Sequence, residues 1–473
     1  MNLKKWEVAP LNRERAAQIA ERYSLPFFLS MMLEIRGFSS EEQIRGLLSG
    51  GQLSDPFLMK DMDKAAARIR RAMENFEKIA VYGDYDADGV TATAILFTYL
   101  EAVGADVIYY IPQREGEGYG MNLQAVEKLH GLGVGLIVTV DNGIASVKEV
   151  ERARELGMDV VVTDHHRPQE RLPQAAAVVD AHQPGDSSPF KELCGAGVAL
   201  KLVMALEGGD PQDILEEYAD LAALGTVADV VPVLGENRQI VKAGLSLLAR
   251  GGRAGVDALM EESGMGGKKA TATSLAFTVI PRINATGRMG SPDRAVRLLT
   301  CDDPEEAQPL SQEICEDNDR RRQVEGEIAQ QAIEAIQRDP QLLYSRVIVV
   351  EGKGWHHGVI GIVASRVTER FGKPSIVISV DGEEARGSGR SVEGFSLFQA
   401  VSACSDLLER FGGHPMAAGV TLKPENVALF RQRINQYAAE ACPEMPAQVL
   451  RLDCRLNPGA LSPEMPQSLE PLE

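Results

Sequence analysis

The stretch that decides the fold reads Ile79-Ala-Val-Tyr-Gly-Asp84-Tyr-Asp86-Ala-Asp88-Gly89, an apolar run that ends in alternating aspartates. The apolar half predicts a short β-strand, and the two glycines allow the chain to curl directly after it. Carboxylates this close together raise one another's pKa and destabilise a fold unless a cation is bound. The stretch therefore predicts a strand that ends at a metal site.

Three further polar clusters follow apolar runs in the same way. They are Val138-Thr-Val-Asp141-Asn-Gly, Val161-Val-Thr-Asp164-His165-His166 and Leu224-Gly-Thr-Val-Ala-Asp229. Taken alone, the alternating aspartates at 84–88 could be a calcium loop or an acidic turn, Asp-Asn-Gly is most often a turn, and Asp-His-His is often a surface loop. Helical patterns separate most of the apolar runs, which predicts a parallel α/β sheet, and such sheets bind ligands at the carboxyl ends of their strands. Together the four clusters predict one site.

The types of side chain in these clusters indicate the metal. Carboxylates and imidazoles without cysteine suit Mn²⁺ or Mg²⁺ better than structural zinc. Two such ions bridged by a shared carboxylate can bind both an attacking water and phosphate oxygens. The predicted bridge is Asp141.

Bulk composition narrows the class of protein. The 473 residues include 44% apolar and 25% charged side chains, which is ordinary for a globular protein of several domains. The net charge of −19 argues against a protein that coats nucleic acid non-specifically, but not against an enzyme with bound cations. The six cysteines form no C-x-x-C pair. We predict a cytoplasmic location and no membrane contact, because no apolar run reaches spanning length and no signal peptide is evident.

Changes in pattern along the chain predict five parts. Residues 1–75 have helical periodicity, 76–303 alternate strands with helices, and 304–340 form one long polar helix. A second α/β region follows at 341–442, and a proline-rich tail occupies 443–473. Within the long helix, we expect Arg320-Arg-Arg to lie on a solvated face.

Several distinct strings resemble the DHH phosphoesterase superfamily, which is named for a triplet like Asp164-His165-His166. The strings lie at 83–89, 117–120, 225–232, 282–288 and 355–366, and the segment 412–419 resembles the companion DHHA1 domain. Within this superfamily the chain looks like the RecJ family of single-strand-specific 5′→3′ DNA exonucleases.

This resemblance implies an architecture. The expected fold is α/β, with a parallel-sheet DHH domain and a smaller DHHA1 domain that are joined by the long helix and separated by a groove. An OB-like DNA-binding domain usually follows DHHA1 in the family. We therefore expect the tail at 443–473 to be a stub that leads to a missing or truncated domain of this kind.

The resemblance also assigns roles around the metals. Two divalent cations, Mn²⁺ or Mg²⁺, are expected, and the residues that match their ligands are Asp86, Asp88, Asp141, His165 and Asp229. Asp84 and His166 match further catalytic positions. Asp164 is expected to hold the histidine pair in place, as carboxylates behind metal ligands commonly do.

Contacts to DNA are expected from arginine, glycine and one aromatic ring. Phosphate suits arginine, and the Gly387-Ser388-Gly389-Arg390-Ser391 segment predicts a turn whose N–H groups, hydroxyl and guanidinium can bind an anion. By resemblance, Ser388 and Arg390 match a pocket for a 5′-phosphate, with Arg114 and Arg288 nearby. Tyr119 lies between glycines and suits stacking on a base.

Three histidines have less distinct predicted roles. His414, after Gly412-Gly413, either contacts phosphate or caps a glycine-rich turn. His356 and His357 are expected to position other groups, because no acidic residues match metal spacing around them.

The function predicted from these features is metal-dependent hydrolysis of single-stranded DNA to mononucleotides from a 5′ end, in repair and recombination. The expected partners are single-stranded DNA, a single-strand-binding protein and a recombination helicase. One alternative is a DHH enzyme that cleaves oligoribonucleotides or cyclic dinucleotides. Another is an inactive replication scaffold, which would be expected to have lost metal ligands.

Overall fold

The computed structural model describes residues 4–49, 51–114 and 116–472, and the side chains of Ser49 and Ala460 are also outside the description. The chain divides into two compact units, and the small parts of the sequence predictions that fall on 1–3, 50, 115 and 473 lie outside the described residues. The larger unit comprises Phe38–Asn318 and Leu469–Glu473, and the smaller unit comprises Met1–Gly37 and Asp319–Ser468. The five-part division given above stays a prediction.

The twelve strands are β1 (Lys5–Val8), β2 (Lys78–Tyr82), β3 (Val107–Tyr110), β4 (Val134–Val140), β5 (Asp159–Thr163), β6 (Ala177–Val179), β7 (Ile348–Lys353), β8 (Ser375–Asp381), β9 (Glu384–Arg390), β10 (Leu408–His414), β11 (Ala417–Leu422) and β12 (Val449–Leu452), counted over the described residues.

The α-helices of the same residues are α1 (Arg13–Tyr23), α2 (Phe27–Ile35), α3 (Glu41–Ser49), α4 (Met62–Glu74), α5 (Ala87–Ala102), α6 (Leu123–Gly131), α7 (Val147–Glu155), α8 (Gly195–Glu207), α9 (Pro211–Ala228), α10 (Gly235–Arg250), α11 (Ala254–Glu262), α12 (Ala272–Ser274), α13 (Ile280–Met289), α14 (Asp293–Leu299), α15 (Pro304–Arg338), α16 (Pro340–Leu343), α17 (His357–Phe371), α18 (Leu397–Ser402), α19 (Val427–Ala441) and α20 (Glu464–Gln467). A π-helical turn, Leu275–Val279, connects α12 with α13.

A parallel five-stranded sheet forms the centre of the larger unit, in the order β3-β2-β4-β5-β6. Alternate side chains of β2 enter different hydrophobic clusters, with Ile79 and Val81 in one and Ala80 and Tyr82 in the other. Apolar residues on both faces explain why the strands are near-continuous apolar runs rather than alternating ones. The predicted α/β fold is confirmed, and the acidic ends of β2, β4 and β5 meet at one edge of the sheet.

The fourth polar cluster does not follow a strand, so that part of the prediction is wrong. Residues 224–228 form the last turns of α9, and Asp229 is the C-cap of that helix. A short apolar run cannot distinguish a strand from a buried helix by its pattern alone. Here the run continues a helix of 18 residues that begins at Pro211, after the capping residue Asp210.

The smaller unit contains a mixed five-stranded sheet in the order β10-β11-β9-β8-β7, in which only β7 and β8 are parallel. The prediction of a turn at 387–391 is also wrong, because most of this segment lies on β9. In addition, β1 pairs with β12 in a parallel two-stranded sheet, which the helical periodicity of residues 1–75 did not predict. Within the described residues, no helix combines the length and apolar character needed to cross a membrane.

The 35-residue helix α15 carries the predicted arginine run. Arg320 and Arg322 are exposed, as predicted, but Arg321 is half-buried because it pairs with the buried Glu325 at 2.5 Å. Arg366 on α17 reaches the other oxygen of the same glutamate at 2.5 Å. A buried carboxylate with two charged partners fixes this part of α15 to the smaller unit.

Candidate metal centre

The loop after β2 is closed by its own backbone. Asp84 is fully buried, and Asp86 is the N-cap of α5, where its Oδ1 accepts the Asp88 and Gly89 N–H groups, each at 3.1 Å. A β-carbon on Gly89 would stand 2.6 Å from the backbone nitrogen of Asp84. Glycine is therefore required for the loop to bring the three aspartates together.

Asp88 is held by the start of another helix. Its Oδ2 accepts the Gly195 N–H at 2.6 Å, and its Oδ1 accepts the Ala196 N–H at 2.9 Å. Both donors belong to the first turn of α8, whose N–H groups have no partner within the helix and whose dipole favours an anion. These two hydrogen bonds fix the buried Asp88 carboxylate in position.

Asp141 and His165 face each other at the ends of adjacent strands. Asp141 has a φ of +62° directly after β4, a conformation that aspartate tolerates better than most residues. Its Oδ1 lies 3.0 Å from Nε2 of His165, which in turn lies 3.8 Å from Oδ2 of Asp88. On the other side of the imidazole ring, Nδ1 is 3.7 Å from Oδ2 of Asp229.

Asp164 is saturated with hydrogen bonds and orients the histidine pair. Its Oδ2 accepts the Ile144 N–H at 2.9 Å, and its Oδ1 accepts the N–H groups of His165 and His166 at 2.7 and 3.1 Å. The His166 ring is held through Nδ1, 2.8 Å from the same oxygen. Tyr119 completes this chain, since its hydroxyl lies 3.1 Å from Nε2 of His166.

The raised pKa values of three of these carboxylates show that their ionised forms are destabilised in the metal-free protein. Burial and the neighbouring Asp86 carboxylate raise the pKa of Asp84 to about 8. Burial and the charges of Asp88 and Asp86 raise the pKa of Asp141 well above its ordinary value. Burial and Asp88 likewise raise the pKa of Asp229 to about 7. These carboxylates are therefore difficult to ionise together without a compensating charge.

The histidines and Asp164 differ from the other acids. Burial lowers the pKa of His165, which favours the neutral ring that binds metals. Burial opposes ionisation of Asp164 and His166, but their mutual hydrogen bond and the attraction of the surrounding opposite charges together outweigh it. As a result, the pKa of Asp164 is lowered and the pKa of His166 is raised to about 9.

The residues fit divalent cations. Oδ1 of Asp141 and Nε2 of His165 are buried without a hydrogen-bond partner among the described residues. Buried polar atoms of native proteins are rarely left in this state. Three overlapping groups of ligand atoms, each within 4.8 Å of one another, could hold an ion: Asp84, Asp86 and Asp141; Asp88, His165 and Asp229; and Asp141, Asp164, His165 and His166.

Two predicted DNA-contacting arginines lie in the same unit as this centre and approach Tyr85. The Arg114 guanidinium carbon is 5.3 Å from the centre of the Tyr85 ring. Burial raises the pKa of the Tyr85 hydroxyl, and the charges of Arg114 and Arg288 oppose that rise. The Tyr85 ring also meets Tyr119 edge-on, with ring centres 6.4 Å apart. Tyr119 is 55% exposed, and its role in stacking on a base stays a prediction.

Ser388 and Arg390 lie in the smaller unit, on one face of β9. Nη1 of Arg390 donates to Oγ of Ser388 at 3.4 Å. A β-carbon on Gly361 of α17 would stand 3.1 Å from Oγ of Ser388 and 3.3 Å from Nη2 of Arg390. The opposite face of β9 is packed, because a β-carbon on Gly389 would meet Leu397 at 2.7 Å. The hydroxyl and the guanidinium are thus adjacent, although on a strand rather than in a turn.

The three remaining histidines have local partners in the smaller unit. Nδ1 of His414 accepts the Met416 N–H at 3.3 Å, which is the turn-capping contact. His356 is the N-cap of α17, where its Nδ1 accepts the Gly358 N–H at 3.1 Å. His357 is 3.0 Å from Asp381, an acidic neighbour that sequence spacing did not reveal. The roles of these histidines in catalysis or binding stay predictions.

Sequence reasoning missed several residues that build the centre. Gly195 lies outside the four clusters, and its contact with Asp88 spans 107 positions. Asn284 accepts the Ala87 N–H at 3.0 Å across 197 positions. The only available signal was that Asn284 belongs to the string at 282–288 that resembles the family.

Comparisons with known proteins agree with this geometry. The family model described as "DHH family, N-terminal domain" matches residues 78–226, and the "DHHA1 domain" model matches 339–440. The single-stranded-DNA-specific exonuclease RecJ of Bacillus subtilis is 43% identical over 95% of this chain, and the chain spans 57% of that relative's length. The RecJ of Escherichia coli is 36% identical over 94% of this chain and 80% of the relative.

Solved structures agree as well. The crystal structure of RecJ from Thermus thermophilus in complex with Mn²⁺ matches with a TM-score of 0.85 and 35% identity, over 99% of this chain and 67% of the other. A structure of the same protein with Mg²⁺ matches with a TM-score of 0.77 and 33% identity, over 99% of this chain and 66% of the other. The groups of potential metal ligands, both domain models and the extent of these matches lead to one conclusion: the chain belongs to the RecJ family.

Proposed function

We propose that this chain is a metal-dependent 5′→3′ exonuclease that hydrolyses single-stranded DNA to mononucleotides. One observation carries the proposal: Oδ1 of Asp141 and Nε2 of His165 face each other at 3.0 Å, both buried and neither with a hydrogen bond among the described residues. Two polar atoms placed in this way can share a divalent cation. Family membership then links that cation to the cleavage of phosphodiester bonds.

The proposed cofactor is a pair of Mn²⁺ or Mg²⁺ ions, held by the ligand groups described above. Such ions supply charge stabilisation and an activated water during phosphodiester hydrolysis. The chain itself contributes oriented side chains. Asp88 is fixed by the α8 N–H groups, the backbone N–H of His165 is held by the Asp164 carboxylate, and the His166 ring is held through Nδ1 by the same carboxylate. We infer that Nε2 of His166 faces the bound phosphate and can donate a proton there.

The proposed direction of cleavage depends on Ser388 and Arg390. Their hydroxyl and guanidinium lie side by side on β9, and both groups bind phosphate well. We propose that they recognise a terminal 5′-phosphate. Arg114 and Arg288 would neutralise the following backbone, and the exposed ring of Tyr119 would stack on a base.

We further propose a cytoplasmic role in DNA repair and recombination, with a single-strand-binding protein and a recombination helicase as partners. Family membership supports this proposal. Co-purification of each candidate partner with the tagged chain, before and after nuclease treatment, would separate direct contact from bridging by DNA.

The test uses single strands labelled at either end, incubated with Mn²⁺. Release of labelled mononucleotide from the 5′ end at the earliest times supports the proposal, and Asp141→Asn is the matched inactive control. Preferential cleavage of dinucleotides would favour a small-substrate phosphodiesterase instead. Absence of cleavage of every DNA and RNA substrate would contradict the proposal and favour a scaffold.

A further inference from the structure

One face of α13 lies directly against the loop that carries the aspartates. Oδ1 of Asn284 accepts the Ala87 N–H at 3.0 Å. Three residues later, a β-carbon on Gly287 would stand 2.4 Å from the carbonyl oxygen of Tyr85. Positions three and four apart share a helix face, so Arg288 lies on the same side. The helix therefore packs its Asn284, Gly287 and Arg288 side against the backbone between Tyr85 and Ala87.

Asn284 completes the capping of α5. The first N–H groups of a helix have no partner within it. The Asp86 side chain accepts those of Asp88 and Gly89, and its backbone carbonyl accepts that of Val90. The Ala87 N–H is left, and the Asn284 oxygen accepts it.

This bond fixes the orientation of the Asn284 amide group. A backbone N–H can only donate, so the atom that faces Ala87 must be the oxygen and the nitrogen must point away. Nδ2 carries two N–H donors and has no acceptor among the described residues. Asn284 is half-buried, and its Nδ2 is not enclosed by other atoms, so solvent reaches this nitrogen.

We propose that Asn284 is a substrate-binding residue whose Nδ2 donates a hydrogen bond to a non-bridging phosphate oxygen of the strand at the metal centre. The inference rests on the proposed function. A phosphate is the expected acceptor, because Asn284 contacts the backbone between Asp86 and Asp88, and ions held there would draw the phosphate to this position. The amide adds two neutral donors where a further cation would compete with those ions.

The decisive variant is Asn284→Asp. It preserves the oxygen that accepts from Ala87, and a carboxylate at a helix N-terminus is a favourable cap. It replaces both donors with a second oxygen that repels phosphate. Asn284→Ala, in contrast, removes the cap and the donors together. If Asn284 only caps α5, DNA binding should be near wild type in Asn284→Asp and impaired in Asn284→Ala. If Asn284 donates to phosphate, DNA binding should be impaired in both variants.

Two readouts separate this inference from the proposed function. Equilibrium binding of a 5′-phosphorylated single strand is measured by fluorescence anisotropy in Ca²⁺, and the thermal shift by Mn²⁺ is measured without DNA. We expect the Kd for DNA to rise about tenfold or more in Asn284→Asp, at least as much as in Asn284→Ala, as loss of a charge-assisted hydrogen bond implies. The melting temperature and the Mn²⁺ shift of Asn284→Asp should stay at wild-type values.

A wild-type Kd for Asn284→Asp would overturn the inference, as would a rise in Kd matched by loss of the Mn²⁺ shift. The control is Asn12→Asp, because Asn12 caps α1 through the same kind of bond, from the Arg15 N–H at 3.0 Å. Its Kd should not change. If the wild-type chain binds DNA without cleaving it, the proposed function is wrong. The ratio of the Asn284→Asp Kd to the wild-type Kd still decides whether Asn284 binds the strand.

Discussion

A β-carbon on Gly195 would stand 2.4 Å from the β-carbon of Asp141 and 2.7 Å from its Oδ1. The same glycine donates its N–H to Asp88 at 2.6 Å. The first turn of α8 thus touches two predicted metal ligands that follow different strands. A helix can approach this closely only where it has no side chain, so Gly195 sets the spacing between these carboxylates.

Gly195→Ala should therefore reduce both activity and stability. The added methyl group must displace the Asp141 carboxylate or the start of α8, and overpacking of this kind costs about 1–3 kcal/mol. We expect hydrolysis to fall by about tenfold or more, since small displacements of catalytic groups are costly. Steady-state cleavage of single-stranded DNA and thermal unfolding measure the two effects.

Gly197→Ala on the same helix is the matched control. Its β-carbon would meet the end of the flexible Leu193 side chain at 3.1 Å, which can move aside. We expect near-normal activity from this variant. Equal losses from both substitutions would mean that α8 as a whole, rather than the contact with Asp141, had been disturbed.

Asp141→Asn should abolish hydrolysis and yet stabilise the metal-free protein. Asparagine tolerates the φ of +62° and has the same shape, but it removes a charge that burial and the neighbouring aspartates oppose. The expected results are a higher melting temperature in EDTA, loss of most of the Mn²⁺ shift, and no cleavage. Persistence of cleavage would show that Asp141 does not bridge the ions.

Asp180→Asn is the comparison for that variant. Asp180 is also fully buried near the end of a strand of this sheet, and burial raises its pKa to about 7. It belongs to none of the ligand groups found among the described residues. We expect this substitution to preserve cleavage and the Mn²⁺ shift.

The stabilisation by Mn²⁺ should be larger at pH 8 than at pH 6. The folded-state pKa of Asp84 is about 8 and its ordinary value is 3.8, so between these limits the folded state binds a proton that the unfolded state has lost. Stability of the metal-free protein therefore falls as pH rises through this range. The ions must displace these protons at low pH, which weakens their binding.

Differential scanning fluorimetry in EDTA and in Mn²⁺ at both pH values measures this difference. An Mn²⁺ shift of the same size at pH 6 and pH 8 would contradict it, because the carboxylates would then be ionised in the folded protein at either pH.

The sequence was sufficient for the parallel sheet and for the acids at three strand ends, because fully buried strands are continuous apolar runs. The sequence did not predict the correct element where one residue pattern is compatible with two kinds of local structure. The glycines at 387 and 389 suggested a turn, but they lie on a strand. Glycine is needed there because β-carbons at these positions would stand 2.7 Å from Val420 and Leu397, respectively. The run before Asp229 resembled a strand because its last five residues do not show that α9 begins at Pro211.

Contacts between distant parts of the chain account for the rest. Asn284 and Ala87 are 197 positions apart, and no local pattern predicts that a helix will cap the loop of another element. The same holds for Gly195 beside Asp141, where glycine is selected by a neighbour that only the folded chain brings near. Local periodicity predicts elements, whereas the spacing within the metal centre depends on how those elements meet.

Val230→Gly should stabilise the protein. Val230 follows the C-cap of α9 with a φ of +60°, a position where helices usually place glycine, and its side chain is 86% exposed. A left-handed conformation costs an L-residue about 1–2 kcal/mol, and the greater backbone entropy of glycine in the unfolded chain offsets only part of that gain. We expect the free energy of unfolding to rise by about 1 kcal/mol, measured by urea denaturation in EDTA.

Val103→Gly is the matched control, because Val103 is the exposed C-cap of α5 with a φ of −84°. There the next residue, Gly104, takes the left-handed position with a φ of +80°. Glycine at 103 relieves no strain, so this variant should lose about 0.5–1 kcal/mol through entropy alone. If both substitutions destabilise, the strain at Val230 is smaller than its φ implies. If Val230→Gly is stable but binds DNA weakly, the exposed valine beside Asp229 contacts the strand.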